Sequence, residues 1–184
     1  MTLPASSAPS SVPAAAELWK SVLLRAGIAL VFGAVTVFWG QPSVHVLAWA
    51  VGLYLLATAA AVFLSKSLPT AVPAVAAIAG IGALATQSDA GVAVSALLGL
   101  LVLGIAELVQ GLRRRGQHVL ARDWLVSGVI GVGTAVALPF FISLGAHALL
   151  GVAGGGAIIS GVLWMLSGLT LRHDGRTPAP EAVN

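Results

Sequence analysis

Apolar residues run along this chain in long continuous blocks separated by short polar breaks, with no residue-by-residue alternation. A helix needs about 20 apolar residues to cross a bilayer. The blocks predict six spans: about Leu18 to Trp39, His45 to Leu64, Thr70 to Thr86, Gly91 to Leu112, Trp124 to Ile142 and Ala146 to Leu171. A β-barrel would need alternating strands and is excluded by the continuous runs. Gly40 and Pro42 mark a tight turn after span one, and Pro73 falls in the first turn of span three, where its missing N–H costs nothing. The expectation is an all-α integral membrane protein of six transmembrane helices, arranged as three hairpins at about 18–64, 70–112 and 124–171. The membrane domain then covers 17–172. Residues 1–16, rich in Ala, Ser and Pro, and 173–184, with Gly175, Pro178 and Pro180, read as disordered cytoplasmic tails. The first of these has no positive charge ahead of an apolar core, so it does not read as a cleaved signal peptide.

Charge sets the orientation. The nine basic residues are Lys20, Arg25, Lys66, Arg113, Arg114, Arg115, Arg122, Arg172 and Arg176. All fall at the same ends of the predicted spans. The opposite turns (Gln41 to Val44, Gln87 to Ala90, Ser143 to Gly145) hold no Lys or Arg and only Asp89. By the positive-inside rule the basic side is cytoplasmic, with both termini there. Arg113, Arg114, Arg115 and Arg122 are the densest charge and read as cytoplasmic anchors that meet anionic lipid headgroups. Trp19 and Trp124 at the basic side, with Trp39 and Trp49 at the other, fit headgroup-level indoles, whereas Tyr54 falls mid-span and needs a partner for its hydroxyl.

Composition narrows the function classes. The chain is 58% hydrophobic and 8% charged, far below the roughly 25% charged residues of an ordinary soluble domain. A pI near 10.2 could point to nucleic acid, but no basic face with aromatic readers is present, so no nucleic-acid partner is expected. Cysteine is absent, which removes disulfides, thiol catalysis and Cys-held metals. No His-x3-His or His-Glu pair offers a metal site, Gly154-Gly155-Gly156 lies in an apolar span without the flanks of a phosphate loop, and no cofactor is expected.

The three hairpins share a register. His45 precedes Gly52 by seven residues, Val92 precedes Gly99 by seven, and His147 precedes Gly154 by seven. Thr58 aligns with Ser160, and Gly27 and Gly33 align with Gly128 and Thr134. The units have the same topology, so they are parallel repeats, unlike the inverted repeats of many transporters. Against this frame stand Trp19, then Arg25-Ala26-Gly27-Ile28, then Phe32-Gly33, then the turn Trp39-Gly40-Gln41-Pro42, with Gly104-Ile105-Ala106-Glu107 closing span four. These residues resemble the HdeD family of bacterial membrane proteins, over about Trp19 to Arg172. The third unit departs from the pattern, with Pro139-Phe140-Phe141 in place of the Trp-Gly-x-Pro turn and Gly154-Gly155-Gly156 in place of bulkier residues. The resemblance implies short hairpin repeats and a role in acid resistance or envelope stress at the bacterial cytoplasmic (inner) membrane. It carries no catalytic residues over to this chain.

Glu107 is the only acidic residue well inside a span, six residues before Arg113 and so about 9 Å in from the basic end. Arg25 lies six residues after Trp19, at similar depth. The two are candidates for an intramembrane ion pair; the competing readings are that each reaches the headgroups separately, or that they line a proton or solute path. His45 and His147 occupy corresponding outer positions and are candidate pH sensors, since imidazole titrates near pH 6.5; the competing reading is interfacial polarity alone. His118 and His173 read as solvated surface, and Asp123 as the cap of span five. Gly99, Gly104, Gly151 and Gly155 are candidates for close helix packing, and a small-residue face left over would serve a homo-oligomer or a membrane partner.

These observations favour a non-enzymatic membrane stress protein. The alternatives are a small transporter or channel for protons or a small solute, which would use Glu107, Arg25 and Tyr54, and a membrane scaffold subunit.

Overall fold

The computed structural model describes residues 12–174, with side chains from 18 to 173. The tail readings at 1–11 and 175–184, and Arg176 with them, lie outside the described residues. Six α-helices follow in order: α1 Val12–Phe38, α2 Val44–Ser65, α3 Ala71–Thr86, α4 Asp89–Arg113, α5 Ala121–Ala137 and α6 Gly145–Asp174, with a 3-10 helix, Leu138–Leu144, between the last two. Helix α1 begins five residues ahead of the predicted membrane boundary, since Val12 is already helical where the sequence reads as tail. Span five was expected to run to Ile142 as one helix. Instead the α pattern stops at Ala137, because Pro139 has no N–H to donate, and the chain tightens into the 3-10 turn.

Side-chain polarity is arranged inside out. On α4 the buried positions include Ser95, Gly99, Gly104, Glu107 and Gly111, while Val94, Leu98, Ile105, Val109 and Leu112 are exposed. A water-soluble helix does the reverse. Four helical stretches are long and apolar enough to cross a membrane: Leu18–Phe38, Val44–Ser65, Asp89–Arg113 and Ala121–His173, the last comprising α5, the 3-10 turn and α6 in 53 residues. Helix α3 has 16 residues, about 24 Å of rise, against a hydrocarbon core of about 30 Å. The chain is all-helical among the described residues, and its apolar helices are those of a multi-pass membrane protein.

Successive helices pack antiparallel, so the start of α1, the end of α2, the end of α4, the start of α5 and the end of α6 gather at one end. Every described Lys and Arg lies at or near that end, called here the basic end. Helices α2, α4 and α6 touch one another in the centre. Among the described residues α1, α3 and α5 do not touch each other; each fills the gap between two central helices, with α1 bridging α6 and α2. The tightest pairings join α1 to α6, α4 to α5 and α2 to α3.

Glycines make those pairings possible. A methyl group placed on Gly52 would lie 3.0 Å from the Gly80 carbonyl oxygen, and one on Gly80 would lie 3.0 Å from that of Gly52. Gly104 and Gly128 face each other across α4 and α5 in the same way, at 3.0 and 2.8 Å, and Gly33 meets the Gly154 carbonyl at 3.5 Å across α1 and α6. Lipid supplies no hydrophobic drive between helices, so such backbone approach is what holds them by dispersion. Gly99 also packs closely, against Leu55 and Ala79. Gly151 and Gly155 do not. They have nothing within 4 Å, and the close contacts on α6 come from Gly154, Gly161 and Gly168 toward α1 and from Gly156 toward Thr134 of α5. The reason is helical phase: the seven-residue stripe through 154, 161 and 168 faces α1, and 151 and 155 lie on another face.

Ser43 and Ser88 cap α2 and α4, accepting from the Val46 and Gly91 amides at 3.3 and 3.2 Å. Asp123 does not cap α5. That helix starts at Ala121, three residues earlier than the cap would require, and its N-cap is Leu120 with no side-chain bond. The end of α2 turns through Lys66, a left-handed residue with φ 49°, whose amide donates to the Phe63 carbonyl at 3.2 Å. The apolar core forms three clusters, the third of them Ala59, Val62, Leu68, Ala76 and Leu103 between α2, α3 and α4. Toward the end opposite the basic one, Leu47, Leu55, Leu138, Leu149 and Leu150 fill the centre. Toward the basic end Val22, Ala26, Leu120, Trp124, Trp164 and Leu171 do so.

Candidate functional site

The polar centre lies among these apolar clusters, lined by Leu100 of the first, Trp164 of the second and Leu103 of the third. Arg25 of α1 and Glu107 of α4 form a direct ion pair, Nη2 donating to Oε1. Glu107 is 1% exposed. Four helices build the surround. Trp164 of α6 lies beneath the guanidinium, with its ring centre 4.8 Å from the Arg25 Cζ. The Trp164 indole N–H donates to the Ser127 hydroxyl of α5 at 3.1 Å. Tyr54 of α2 stacks on Phe32 of α1, ring centres 4.3 Å apart and nearly parallel. A cavity of about 40 Å³ lies here, and its polar lining is Arg25, Glu107, Tyr54, Thr58, Ser127 and Ser160.

Away from water the two charges compensate each other, so the pair is one unit: remove either charge and the other is stranded. The indole face adds attraction for the guanidinium that a purely aliphatic wall would not. Both charges sit on the basic side of the leucine-rich region. Toward the basic end lies a second cavity of about 160 Å³, with Arg25 and Trp164 in its wall together with Lys66, Arg114 and His118.

His118 departs from the solvated surface expected of it. Its ring is partly buried and stacks on Trp124 with centres 4.8 Å apart. Its Nδ1 accepts the Leu120 amide at 3.1 Å. Burial holds its pKa below the ordinary 6.5, and the positive charge of Arg114 pushes the same way. Trp124 is buried by the same packing. The opposite end is simpler. His45 is exposed, shares a 2.9 Å hydrogen bond between Nδ1 and Gln87 Oε1, and leans on Trp49. His147 is exposed on α6. Arg113, Arg114, Arg115 and Arg122 are exposed at the basic end, and Arg172 lies over the Trp19 ring at 5.3 Å.

The sequence pointed to Arg25, Glu107 and Tyr54 and missed Trp164, Ser127, Thr58 and His118 as members of the same region. A signal existed for Trp164: it lies eight residues inside Arg172, where an indole N–H must find an acceptor within the bundle. For His118 no local signal existed, because its burial depends on Trp124 folding back under it. Among the described residues no three His, Cys, Asp or Glu side chains come together as a metal site would require.

No curated protein sequence and no solved structure matches the chain. Residues 73–140, from the first turn of α3 to the 3-10 turn, match the family model described as a short repeat of unknown function, DUF308.

Proposed function

We propose that this chain is a six-span protein of the bacterial cytoplasmic membrane, with both termini in the cytoplasm, that supports survival in acid or envelope stress without catalysing a reaction. The resemblance to the HdeD family supports the role, and the short-repeat match over 73–140 supports the family and the reading as hairpin repeats. The gathering of Lys and Arg at one end supports the orientation. Helix α3, at 16 residues, crosses as a short span between α2 and α4.

The observation that carries the molecular reading is the Arg25–Glu107 pair, buried on the cytoplasmic side of an apolar plug. It works as a latch between α1 and α4. Protonating Glu107 in an acidified cytoplasm would strand the Arg25 charge and loosen the two helices, turning proton concentration into a change of packing. Acid survival of a strain lacking the protein tests this, with complementation at matched membrane levels. Wild type rescues, Glu107→Gln (which fixes the neutral state) does not, and His45→Ala/His147→Ala rescues as wild type does. Loss of rescue in the histidine variant would instead move sensing to the outer surface. Failure of wild type to rescue removes the stress role.

Reporter fusions after Gln41, Ser88 and Leu144, against fusions after Ser67 and Gln117, test the six crossings. The first three should report the periplasm and the last two the cytoplasm.

A second reading has one observation in its favour: the 40 Å³ cavity with hydroxyl and phenol groups beside the pair is how a proton or small-solute path would begin. Flux in proteoliposomes that vanishes in Glu107→Gln would establish it. A scaffold role is favoured by the open face at Gly151 and Gly155, and a second protein co-purifying at fixed ratio would support it.

A further inference from the structure

The 160 Å³ cavity at the basic end has a wall that the ion pair does not explain. Arg25, Lys66, Arg114 and His118 line it, and no carboxylate does. They come from α1, from the α2–α3 turn and from the α4–α5 turn, so three separate segments bring positive or titratable groups to one place. Glu107 offsets the Arg25 charge and burial holds His118 neutral, so Lys66 and Arg114 are the uncompensated cations of this wall, and beside a half-enclosed, partly apolar space they repel one another more strongly than in open water. An anion seated between them relieves that repulsion and is held more tightly than at an open surface.

Two further features fit an oxyanion. Lys66 occupies the cavity rim in a left-handed conformation, φ 49°, that non-glycine residues rarely adopt. The turn is held there by the Lys66 amide on Phe63 and by Gln110, whose side-chain N–H donates to the Ser67 carbonyl at 3.2 Å. Arg25 lines this cavity as well as the inner one, and among the described residues Glu107 is its only hydrogen-bond acceptor, so most of its guanidinium N–H groups are free to serve a ligand. Guanidinium and ammonium groups together match the oxygens of a phosphate. The volume is well below the roughly 300 Å³ at which pockets for larger ligands begin, which selects a single small headgroup.

We propose that this cavity binds one phosphate group, presented either by an anionic phospholipid of the surrounding leaflet or by free phosphate. The proposal does not depend on the stress role, because binding is read on the purified full chain. Protein in an uncharged detergent is titrated at constant ionic strength with inorganic phosphate, following the unfolding midpoint. In parallel, delipidated protein is exchanged against phosphatidylglycerol or phosphatidylcholine and its retained lipid is counted by native mass spectrometry. Wild type, Lys66→Ala/Arg114→Ala and the charge-matched Lys20→Ala/Arg113→Ala are compared. The expected result is one saturable site, weakened at least about tenfold in Lys66→Ala/Arg114→Ala and less than about twofold in the charge-matched pair. Saturation by inorganic phosphate identifies a free anion; retention of phosphatidylglycerol alone identifies a headgroup. No saturable binding of either probe overturns the proposal, and so does equal weakening in both double variants, which would mean diffuse surface attraction.

Discussion

Arg25 and Trp164 are bound face to face, the guanidinium 4.8 Å from the centre of an indole whose own N–H is taken by Ser127. The ring is therefore fixed in position before the arginine uses it, and the arginine in turn holds Glu107. Three helices meet through one cation.

This geometry makes the single substitutions worse than the double. Removing either charge, by Arg25→Met or Glu107→Leu, should cost about 3–5 kcal/mol, because the remaining charge is buried without its partner. The combined Arg25→Met/Glu107→Leu variant should be more stable than either single. Unfolding of the three purified proteins in one detergent, followed by tryptophan fluorescence, checks the order. A double variant as unstable as the sum of the singles would show that the two residues act independently.

Trp164→Phe keeps the ring face and loses the N–H. The expected loss is about 1 kcal/mol for the bond to Ser127, with Ser127→Ala costing a similar amount. The pair should be non-additive in a double-mutant cycle, with a coupling of about 1 kcal/mol.

Glycines that look alike in the sequence should respond oppositely. A methyl at Gly104 would stand 2.8 Å from the Val132 amide nitrogen and 3.0 Å from the Gly128 carbonyl oxygen, both backbone, so Gly104→Ala should destabilise by about 1–3 kcal/mol. Gly155 has nothing within 4 Å, and Gly155→Ala should be neutral or stabilise by up to about 1 kcal/mol through helix propensity. Thermal midpoints of the two variants give the comparison.

His118 gives the fold a pH dependence of known sign. The folded state holds the ring neutral, with its pKa below 6.5, while the unfolded chain titrates near 6.5. The stability it contributes is complete above pH 6.5 and is lost as pH falls through the lower, folded-state value. A second proton would have to settle on Nδ1, which already faces the Leu120 N–H. Wild type should therefore lose stability as pH falls below 6.5, and His118→Phe, which keeps the stack on Trp124, should lose less over the same window. Parallel slopes in the two proteins would assign the acid sensitivity elsewhere.

Helix positions and the gathering of charge were legible because each rests on local composition: continuous apolar runs, and Lys or Arg at their ends. The depth of Arg25 and Glu107 was legible from their distance to Arg113 and Trp19. What could not be read is phase, the direction each helix turns. Gly151 and Gly155 satisfy the small-xxx-small spacing as well as any pair in the chain, yet only knowledge of where α1 lies shows that Gly154, Gly161 and Gly168 are the ones in contact. Burial of His118 and Trp124 is of the same kind, since it arises between a turn and a helix start and leaves no trace in either segment alone. The end of α5 at Ala137 was legible in principle from Pro139, but the long apolar run through Phe140 and Phe141 outweighed it.

The glycine seam between α1 and α6 also sets a schedule for synthesis. The first described helix to leave the ribosome has as its main partner the last, so α1 waits in the bilayer while α2 to α5 are made. During that wait its charge is the hazard. Glu107 arrives with α4, well before Trp164 arrives with α6, so Arg25 is neutralised early and clamped late. An elongation arrest after α4 should leave a species whose electrostatics are complete and whose closure is not, open to proteolysis along the face that α6 will cover.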